Sequence, residues 1–338
     1  MKLSIVATLY RSASYIEEFL KRVSTVARQI VGDSFEIVLV NDGSPDNSLE
    51  IAVAPIAHFP CLKVIDLSRN FGHHKAMMTG LAHATGEHVY LLDSDLEEEP
   101  EWLLEFWRTM HDEHADMVYG VQHQRKGSFT ERVTGSLFYT VFRALTGIVQ
   151  PDNIVTARVM SRRFVDALLL HREREINIGG LWIITGFTQV KAVVSKHASS
   201  PTTYTLGQKL YHLINAITSF STLPLIFTFY VGLFISFSAV LFIIYSVVLK
   251  LLQPTVTGGF TTLIASIWFF SGLIVFFLGI QGIYLAKIFT EVKQRPYTII
   301  REVFEADQHG SELPNLQKRR SLGDDDAHSR PVSAVADV

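Results

Sequence analysis

The chain has 338 residues, a formal net charge of −3 and a hydrophobic share of 48%. This charge gives no support for a nucleic-acid partner, and the single cysteine, Cys61, excludes an intrachain disulfide. The length allows one large domain or two ordinary ones, and the hydrophobic share is high for a wholly soluble protein.

The N-terminal part of the chain alternates short apolar runs with helix-like segments. The apolar runs predict strands at residues 3–8, 36–41, 62–67, 89–92 and 117–121. The segments between them predict helices at about 14–30, 46–57, 73–84 and 100–114. Strands that alternate with helices are typical of βαβ units, so we expect an α/β fold with a mostly parallel sheet.

Two carboxylates follow the fourth predicted strand, in the stretch Asp93-Ser94-Asp95-Leu96-Glu97. Ligands of open α/β sheets bind just beyond the carboxyl ends of the strands. Asp93 and Asp95 would repel each other there unless a cation joined them. Their hard oxygen ligands favour Mg²⁺ or Mn²⁺, which binds through one or two carboxylates and substrate phosphates. The stretch predicts a metal–diphosphate site; its alternative interpretation is a solvated acidic turn before the helix near Pro100.

The turns after the first three strands also carry polar residues. These turns are Thr8-Leu9-Tyr10, Asn41-Asp42-Gly43-Ser44 and the segment 68–75. All of them open on one edge of a parallel sheet, where a nucleotide would lie with its base and ribose near Asp42 and its diphosphate near the metal. Neither G-x-G-x-x-G nor G-x-x-x-x-G-K-[ST] occurs in the chain, which counts against a dehydrogenase or an NTPase.

The next part of the chain is less regular. Asp152 stands at a turn that enters a predicted strand containing Arg158, and a short helix is expected at about 162–170. A basic run lies along another predicted helix, at about 130–146, and includes Arg125, Lys126, Arg132 and Arg143. Such a run is usually a solvated face, so alone it does not identify a ligand.

Two long uncharged segments follow, at residues 225–249 and 260–286. Each exceeds the roughly 20 residues that span a bilayer. An amphipathic segment at 210–223 precedes them and suits the membrane interface. Lys250 is the one cation in the loop between them, whereas lysines and arginines flank the pair on both sides. This asymmetry predicts a multi-pass protein of the cytoplasmic (inner) membrane, with its α/β part and both termini on the cytoplasmic side.

Three motifs, followed by the two spans, resemble family 2 glycosyltransferases of the GT-A fold. The motifs are Asn41-Asp42-Gly43-Ser44-Pro45-Asp46, Leu67-Ser68-Arg69-Asn70-Phe71-Gly72 and Asp93-Ser94-Asp95-Leu96. Within the family the chain is similar to polyprenyl-phosphate glycosyltransferases, the bacterial relatives of dolichol-phosphate mannose synthase. The segments 217–224 and 293–297 also resemble this group, so the resemblance covers about residues 1–304.

The resemblance implies a Rossmann-like GT-A domain with a C-terminal two-helix transmembrane hairpin. The expected parts are a cytoplasmic catalytic domain at 1–205, an interfacial helix region at 206–223, transmembrane helices at 224–251 and 260–287, and a cytoplasmic tail at 288–338. The low apolar content predicts disorder in this tail from about residue 306.

By the same resemblance the protein is an enzyme that transfers a hexose or N-acetylhexosamine from a nucleotide sugar to undecaprenyl or another polyprenyl phosphate. The donor is UDP-linked rather than GDP-linked, the displacement inverts the anomeric carbon, and the product is a lipid-linked sugar donor for cell-envelope glycans. The lipid bilayer and a homo-oligomer, a tetramer in relatives, are the further partners implied.

The resemblance also implies residue roles. Asp93, Asp95 and Glu97 would bind Mg²⁺ or Mn²⁺. The nucleotide sugar would contact Thr8, Tyr10, Asp42, Ser68, Asn70, Lys75, Asp93 and Ser94. Arg125, Arg132 and Arg158 would hold the acceptor phosphate, and the catalytic set would be Asp95, Asp152 and Arg158.

The chain departs from the family pattern at three places. The first turn reads Thr8-Leu9-Tyr10-Arg11-Ser12 in place of Pro-x-Tyr-Asn-Glu, and the acidic run continues as Glu97-Glu98-Glu99-Pro100. Thr156 stands where some relatives have an Asp proposed as the base, and the nearest acid is Asp152.

Two alternatives therefore stay open: a non-catalytic sugar-nucleotide-binding membrane adaptor, and a processive polysaccharide synthase. The absence of Q-x-x-R-W and of further spans counts against the synthase.

Overall fold

The computed structural model describes residues 1–122, 143–147, 153–195, 214, 217–252 and 259–306. The chain divides into two compact units. Of the described residues, unit 1 comprises 1–105, 157–162 and 298–306, and unit 2 comprises those between 106 and 156 and between 163 and 297.

Eight strands are present in the described part of the chain. They are β1 (Leu3–Leu9), β2 (Phe35–Asn41), β3 (Leu62–Leu67), β4 (His88–Leu91), β5 (Met117–Gln122), β6 (Ile154–Ser161), β7 (Gln189–Val194) and β8 (Ile300–Phe304). In unit 1 the strand order is β6-β4-β1-β2-β3-β8. The four central strands are parallel, whereas β6 and β8 run antiparallel to β4 and β3. The result is the mostly parallel mixed sheet that the sequence predicts.

The main helices of the described chain follow in order. They are α1 (Ile16–Val31), α2 (Ser48–Val53) with a 3₁₀ turn (Ala54–His58), α3 (His73–His83), α4 (Trp102–Asp112), α5 (Arg162–Leu169), α6 (Ile178–Ile184), α7 (Leu223–Leu252) and α8 (Phe260–Val292). In α1 the apolar residues recur at helical spacing and form one buried face, which is the pattern from which the sequence predicts this helix. The buried residues are Ile16, Phe19, Leu20, Val23 and Ala27.

The core of unit 1 lies at its central strands. Every residue of β1 and of β2 is buried. Strands of a parallel sheet are covered on both faces, and so they read as continuous apolar runs instead of alternating ones. Gly80 of α3 lies so close to β1 that an added Cβ would overlap the Val6 side chain. The helix therefore packs tightly on the strand that ends at Thr8 and Leu9.

In unit 2, β5 pairs in parallel with β7. The apolar run at 178–184 forms the α6 helix, and Asn177 caps it by accepting from the Gly180 amide at 3.4 Å. The α7 and α8 helices contain segments long and apolar enough to cross a membrane, at Leu223–Phe242 and Ser266–Val292, with mean hydropathies of 2.3 and 2.0. Large apolar side chains of both segments are exposed, so these helices are not the core of a soluble fold.

The chain returns to unit 1 after α8. The strand β8 lies antiparallel to β3, with Phe304 opposite Val64. Arg301 on β8 donates to the Asp66 carboxylate at 3.1 Å and to the Ser68 carbonyl at 2.6 Å. The sequence pattern predicts no strand in this region. A five-residue edge strand with Arg301 and Glu302 in its middle has too little apolar periodicity to be recognised.

A buried network ties β1, β2 and the turn before β4. Oε1 of Glu36 accepts from the Ser4 hydroxyl at 2.6 Å, and from the amide and hydroxyl of Thr85 at 2.6 and 2.7 Å. The Ser4 hydroxyl in turn accepts from the Gly86 amide at 2.7 Å. Burial by itself raises the pKa of Glu36, but the hydrogen bonds from Ser4 and Thr85 outweigh it and lower the pKa. The network therefore favours the ionised carboxylate.

We expect Glu36→Gln to lower the free energy of unfolding by about 1–3 kcal/mol at pH 7, because a neutral amide replaces a charged acceptor of three donors. A carboxyl with a lowered pKa stabilises the fold above its unfolded pKa of about 4.3, and this contribution is lost as the pH falls through the folded pKa. The difference between wild type and variant should shrink below that pH. Denaturation in detergent at pH 7 and at acid pH measures it.

The exposed Glu17 of α1 supplies the control, since Glu17→Gln removes a carboxylate outside the network. A Glu36→Gln variant with the stability of wild type at pH 7 would contradict the role assigned to this network.

Candidate functional site

The polar turns of unit 1 meet at one edge of its sheet. The parallel register places Leu9 beside Asn41, and Asn41 beside Asp66. On the other side of β1, the Leu92 amide donates to the Val6 carbonyl at 3.2 Å. The carboxyl ends of β1, β2, β3 and β4 therefore lie side by side, and the acidic stretch that begins at Asp93 leaves from this edge. Ligands of such sheets bind at this position.

The acidic stretch alternates its side chains between the surface and the interior. Asp93 is half-buried, Asp95 is exposed and Ser94 is 4% exposed. Oδ1 of Asp95 accepts from the Glu97 amide at 3.0 Å, which closes a tight turn around Leu96 at φ +60°. This turn keeps the Asp95 carboxylate close to the strand end.

The hydroxyl of Ser94 is directed into the protein. It donates to the Thr8 carbonyl at 2.8 Å and lies 3.0 Å from the Ser12 hydroxyl. The family resemblance implies a donor contact for Ser94, and the structure shows that its hydroxyl joins the ends of β1 and β4. The donor contact of this residue stays a prediction.

Within the described residues, no group of three or more His, Cys, Asp or Glu side chains could hold a metal ion. Asp93, Asp95 and Glu97 thus do not converge as a three-carboxylate shell. The donor set nonetheless fits a divalent cation, because Mg²⁺ commonly keeps waters and uses one or two carboxylates with substrate phosphates. Asp93 and Asp95 supply two hard oxygen donors at an open sheet edge, and Glu97 as a third ligand stays a prediction.

The imidazole of His73 lies between Thr8 and Asp93. Its Nδ1 is 2.9 Å from the Thr8 hydroxyl, and its Nε2 is 3.2 Å from Oδ1 of Asp93. Burial of the ring by itself lowers the pKa of His73, but the hydrogen bond to Asp93 and the charges of Asp93, Glu98 and Asp42 outweigh this, so the pKa is raised. His73 belongs to the polar segment 68–75 that follows the third predicted strand.

Asp42 is 2% exposed and holds the loop between β3 and α3. Its two oxygens accept from the amides of Phe71 and Gly72 at 2.7 and 3.0 Å. Gly43, at φ +58°, permits the close approach, because an added Cβ would overlap the backbone at Asn70. The contact of Asp42 with the nucleoside stays a prediction, and the structure adds a positioning role that the sequence pattern did not reveal.

The remaining donor-site predictions lie around this edge. Tyr10 is 48% exposed and Asn70 is exposed, so both are accessible to a ligand. Ser68 is half-buried, and its amide donates to the Ile299 carbonyl at 2.9 Å. Lys75 is half-buried in the first turn of α3.

Asp66 forms a second buried contact below the edge. It accepts from the Asn41 amide nitrogen at 2.8 Å and from Arg301 at 3.1 Å. Burial raises the pKa of Asp66, and the contacts with Asn41 and Arg301 act in the opposite direction. Arg301 comes from the strand that follows both long apolar helices. The site is therefore supported by a part of the chain that the sequence analysis assigned to the tail.

Arg158 on β6 lies beside Leu91, two residues before Asp93. Its side chain is 1% exposed, so it lies among protein groups instead of facing solvent. Its contact with an acceptor phosphate stays a prediction. The other predicted acceptor and catalytic residues, Arg125, Arg132 and Asp152, lie outside the described residues.

Comparison with known proteins agrees with this geometry. The profile described as Glycosyl transferase family 2 matches residues 4–169. A protein of Mycobacterium tuberculosis (strain CDC 1551 / Oshkosh), named among glycosyltransferases, is 43% identical over 94% of this chain and 92% of its own. The SfII prophage-derived bactoprenol glucosyl transferase of Shigella flexneri is 31% identical over 89% of this chain and 98% of its own. A prophage bactoprenol glucosyl transferase homolog of Escherichia coli K12 is 30% identical over 90% of this chain and 99% of its own.

Solved structures are more distant. The S. aureus TarS 1-349 structure has a TM-score of 0.42 and 22% identity, over 65% of each chain. The glucosyl-3-phosphoglycerate synthase of Mycobacterium tuberculosis, solved with Mn²⁺, UDP and glucosyl-3-phosphoglycerate, has a TM-score of 0.44 and 20% identity, over 65% of this chain and 80% of that one.

The sequence relatives decide the assignment, because they cover most of this chain at 30% identity or more. The matched family region contains β1 to β4, the polar turns between them and the Asp93–Asp95 pair. The mixed sheet and the two C-terminal apolar helices agree with the expected GT-A fold class. The sequence relatives and the arrangement of the sheet edge together show that this chain belongs to glycosyl transferase family 2 and is a glycosyltransferase.

Proposed function

We propose that this glycosyltransferase transfers a hexose or N-acetylhexosamine from a nucleotide sugar to undecaprenyl or another polyprenyl phosphate at a membrane surface. The observation that carries the proposal is that one chain joins the family 2 sheet edge to two helices of membrane-spanning length. Relatives named bactoprenol glucosyl transferase match 89% and 90% of this chain. A lipid acceptor explains why the sheet edge of a glycosyltransferase and two helices of membrane-spanning length occur in one chain.

The donor diphosphate is placed at the edge formed by Asp93 and Asp95. When bound there, Mg²⁺ or Mn²⁺ would supply positive charge to the leaving diphosphate. Two carboxylates alone would repel that diphosphate, so the charge of the cation is required for their role in donor binding. We assign the donor as a UDP sugar by analogy with the family.

The acceptor needs little activation by a base. A lipid phosphate is already anionic at neutral pH, so its oxygen can attack the anomeric carbon without losing a proton first. Placement of that oxygen and electrostatic stabilisation of the leaving group can supply most of the rate enhancement. This chemistry accommodates Thr156 at the position where some relatives have an Asp, and it leads to a single displacement with inversion.

The distribution of cations supports an orientation in the membrane. Lys287, Lys293, Arg295 and Arg301 lie at or beyond the end of the second apolar segment, and Lys250 is the one cation between the two. The positive-inside rule then places both termini and the catalytic unit on the cytoplasmic side of a multi-pass protein. The homo-oligomer expected from the resemblance belongs to this proposal as well.

We expect Asp95→Asn and Asp93→Asn to reduce sugar transfer by about 100-fold or more, because each removes a charged ligand from the site that stabilises the leaving group. Formation of the glycolipid by the purified full-length chain in detergent measures the effect. Glu99→Gln in the same acidic run is the matched control and should keep most of the activity. Equal activity in wild type and in the double variant Asp93→Asn/Asp95→Asn would refute the metal-site assignment.

A donor screen should identify the substrate. Purified protein, Mg²⁺ or Mn²⁺ and undecaprenyl phosphate are incubated with a panel of UDP and GDP sugars, and the lipid product is analysed by mass spectrometry and NMR. We expect one UDP sugar to give a lipid that carries a single sugar with inverted configuration.

Each other result of the screen has a defined meaning. A product with retained configuration would contradict the single displacement, and a product with many sugars would point to a processive synthase. Absence of transfer from every donor, together with donor binding, would favour the adaptor.

A further inference from the structure

The structure places a histidine against one of the two metal-site carboxylates. We propose that His73 is a positioning residue that holds Asp93 in the orientation in which it binds the metal, and that Thr8 orients His73 for this task. The proposal rests on the proposed function, because it concerns the same metal site. It adds two residues whose role is to orient a ligand instead of contacting the cation.

Both nitrogens of the His73 ring have a partner from a different element. Nδ1 lies 2.9 Å from the hydroxyl of Thr8 on β1, and Nε2 lies 3.2 Å from Oδ1 of Asp93 after β4. A rotation of the ring would break both contacts together. The orientation of the imidazole is therefore determined from two sides, although about half of its side chain is exposed.

The backbone that carries His73 is fixed as well. His73 is the first residue of α3, and it follows Gly72 at φ +99°. The amides of Phe71 and Gly72 donate to the buried carboxylate of Asp42. The buried carboxylate of Asp42 therefore determines the path of the backbone before His73, and this path places the ring beside Asp93.

The arrangement has the chemistry of a support for a metal ligand. Oδ1 of Asp93 is buried, so its 3.2 Å contact with Nε2 of His73 is screened less than a contact between two exposed groups. Holding one oxygen leaves the other oxygen of the carboxylate for the cation. Outer groups that orient metal ligands in this way typically change metal affinity by about 10- to 100-fold when they are removed.

The role does not require a particular protonation state. If Nε2 alone carries a proton, Nδ1 accepts from the Thr8 hydroxyl. If both nitrogens carry protons, the oxygen of Thr8 accepts instead. In each case Nε2 presents a donor to Asp93, because a hydroxyl can act in either direction.

The test uses the full-length protein in detergent and Mn²⁺ as the probe, with free Mn²⁺ followed by EPR in the absence of any sugar donor. We expect His73→Ala to weaken Mn²⁺ binding by about 10- to 100-fold. His73→Gln should retain most of the affinity, since its amide nitrogen can occupy the place of Nε2. His73→Asn, whose amide reaches only the place of Nδ1, should bind as weakly as His73→Ala.

Further variants separate this role from folding and from the proposed function. Thr8→Val keeps the shape of the side chain and removes the hydroxyl, so it should weaken Mn²⁺ binding, but less than His73→Ala does. Thr8→Ser keeps the hydroxyl and should bind Mn²⁺ as wild type does. His74→Ala, at the next position of α3, is the matched control and should bind as wild type does. Thermal unfolding midpoints show whether each variant is folded.

The possible results lead to different conclusions. Wild-type affinity in His73→Ala, with loss of binding in Asp95→Asn, would overturn the positioning role and leave the metal site in place. Equal loss in His73→Gln and His73→Ala would overturn it too, and would make the imidazole itself a ligand of the cation. Unchanged Mn²⁺ binding in Asp95→Asn would instead refute the metal site on which the proposed function depends.

Discussion

The buried carboxylate of Asp42 is the contact on which the arrangement of the sheet edge depends. A carboxylate that is 2% exposed must have its charge compensated. Here the amides of Phe71 and Gly72 provide that compensation, and Gly43 allows the two backbone segments to approach. Since these amides precede α3 directly, the same contact sets where the helix begins and where its first side chain reaches.

The contacts around Asp93 follow from this constraint. His73 can lie between Thr8 and Asp93 because β1, α3 and β4 are brought together at one edge by the parallel register and by the loop that Asp42 holds. Ser94 joins the ends of β1 and β4 from the inner side of the same stretch. The acidic pair is thus supported from within by hydroxyl groups and from the side by an imidazole, in a chain whose first turn departs from the usual family pattern.

Much of this fold could be predicted from the sequence, for a physical reason. The strands β1 to β5 are covered by neighbouring elements, and burial produces the apolar runs that identified them. The edge position of the Asp93–Asp95 pair followed from the rule for parallel strand ends. The confirmed family assignment had the same basis, because its motifs are the turns at those strand ends.

Other features had no local signal. Residues 178–184 form a helix, but an apolar run of seven residues could equally form a strand. It is too short to show whether its apolar residues repeat with the helical or the strand period. The burial of Arg158 on β6 had no local signal either, because arginine side chains are mostly exposed. The contacts of His73 with Thr8 and Asp93 join residues 65 and 20 positions apart, so no spacing within one element could reveal them.

The strand β8 has a consequence for the biosynthesis of the enzyme. The sheet that carries Asp93 and Asp95 at its edge takes its first strand from residue 3 and its edge strand from residues 300–304, and both long apolar helices lie between them in the chain. Because a chain emerges from the ribosome in order, Arg301 cannot reach Asp66 until the entire apolar hairpin has been translated. The sheet is therefore completed only after both apolar helices have been made, and the support that Arg301 gives to the sheet edge is acquired last.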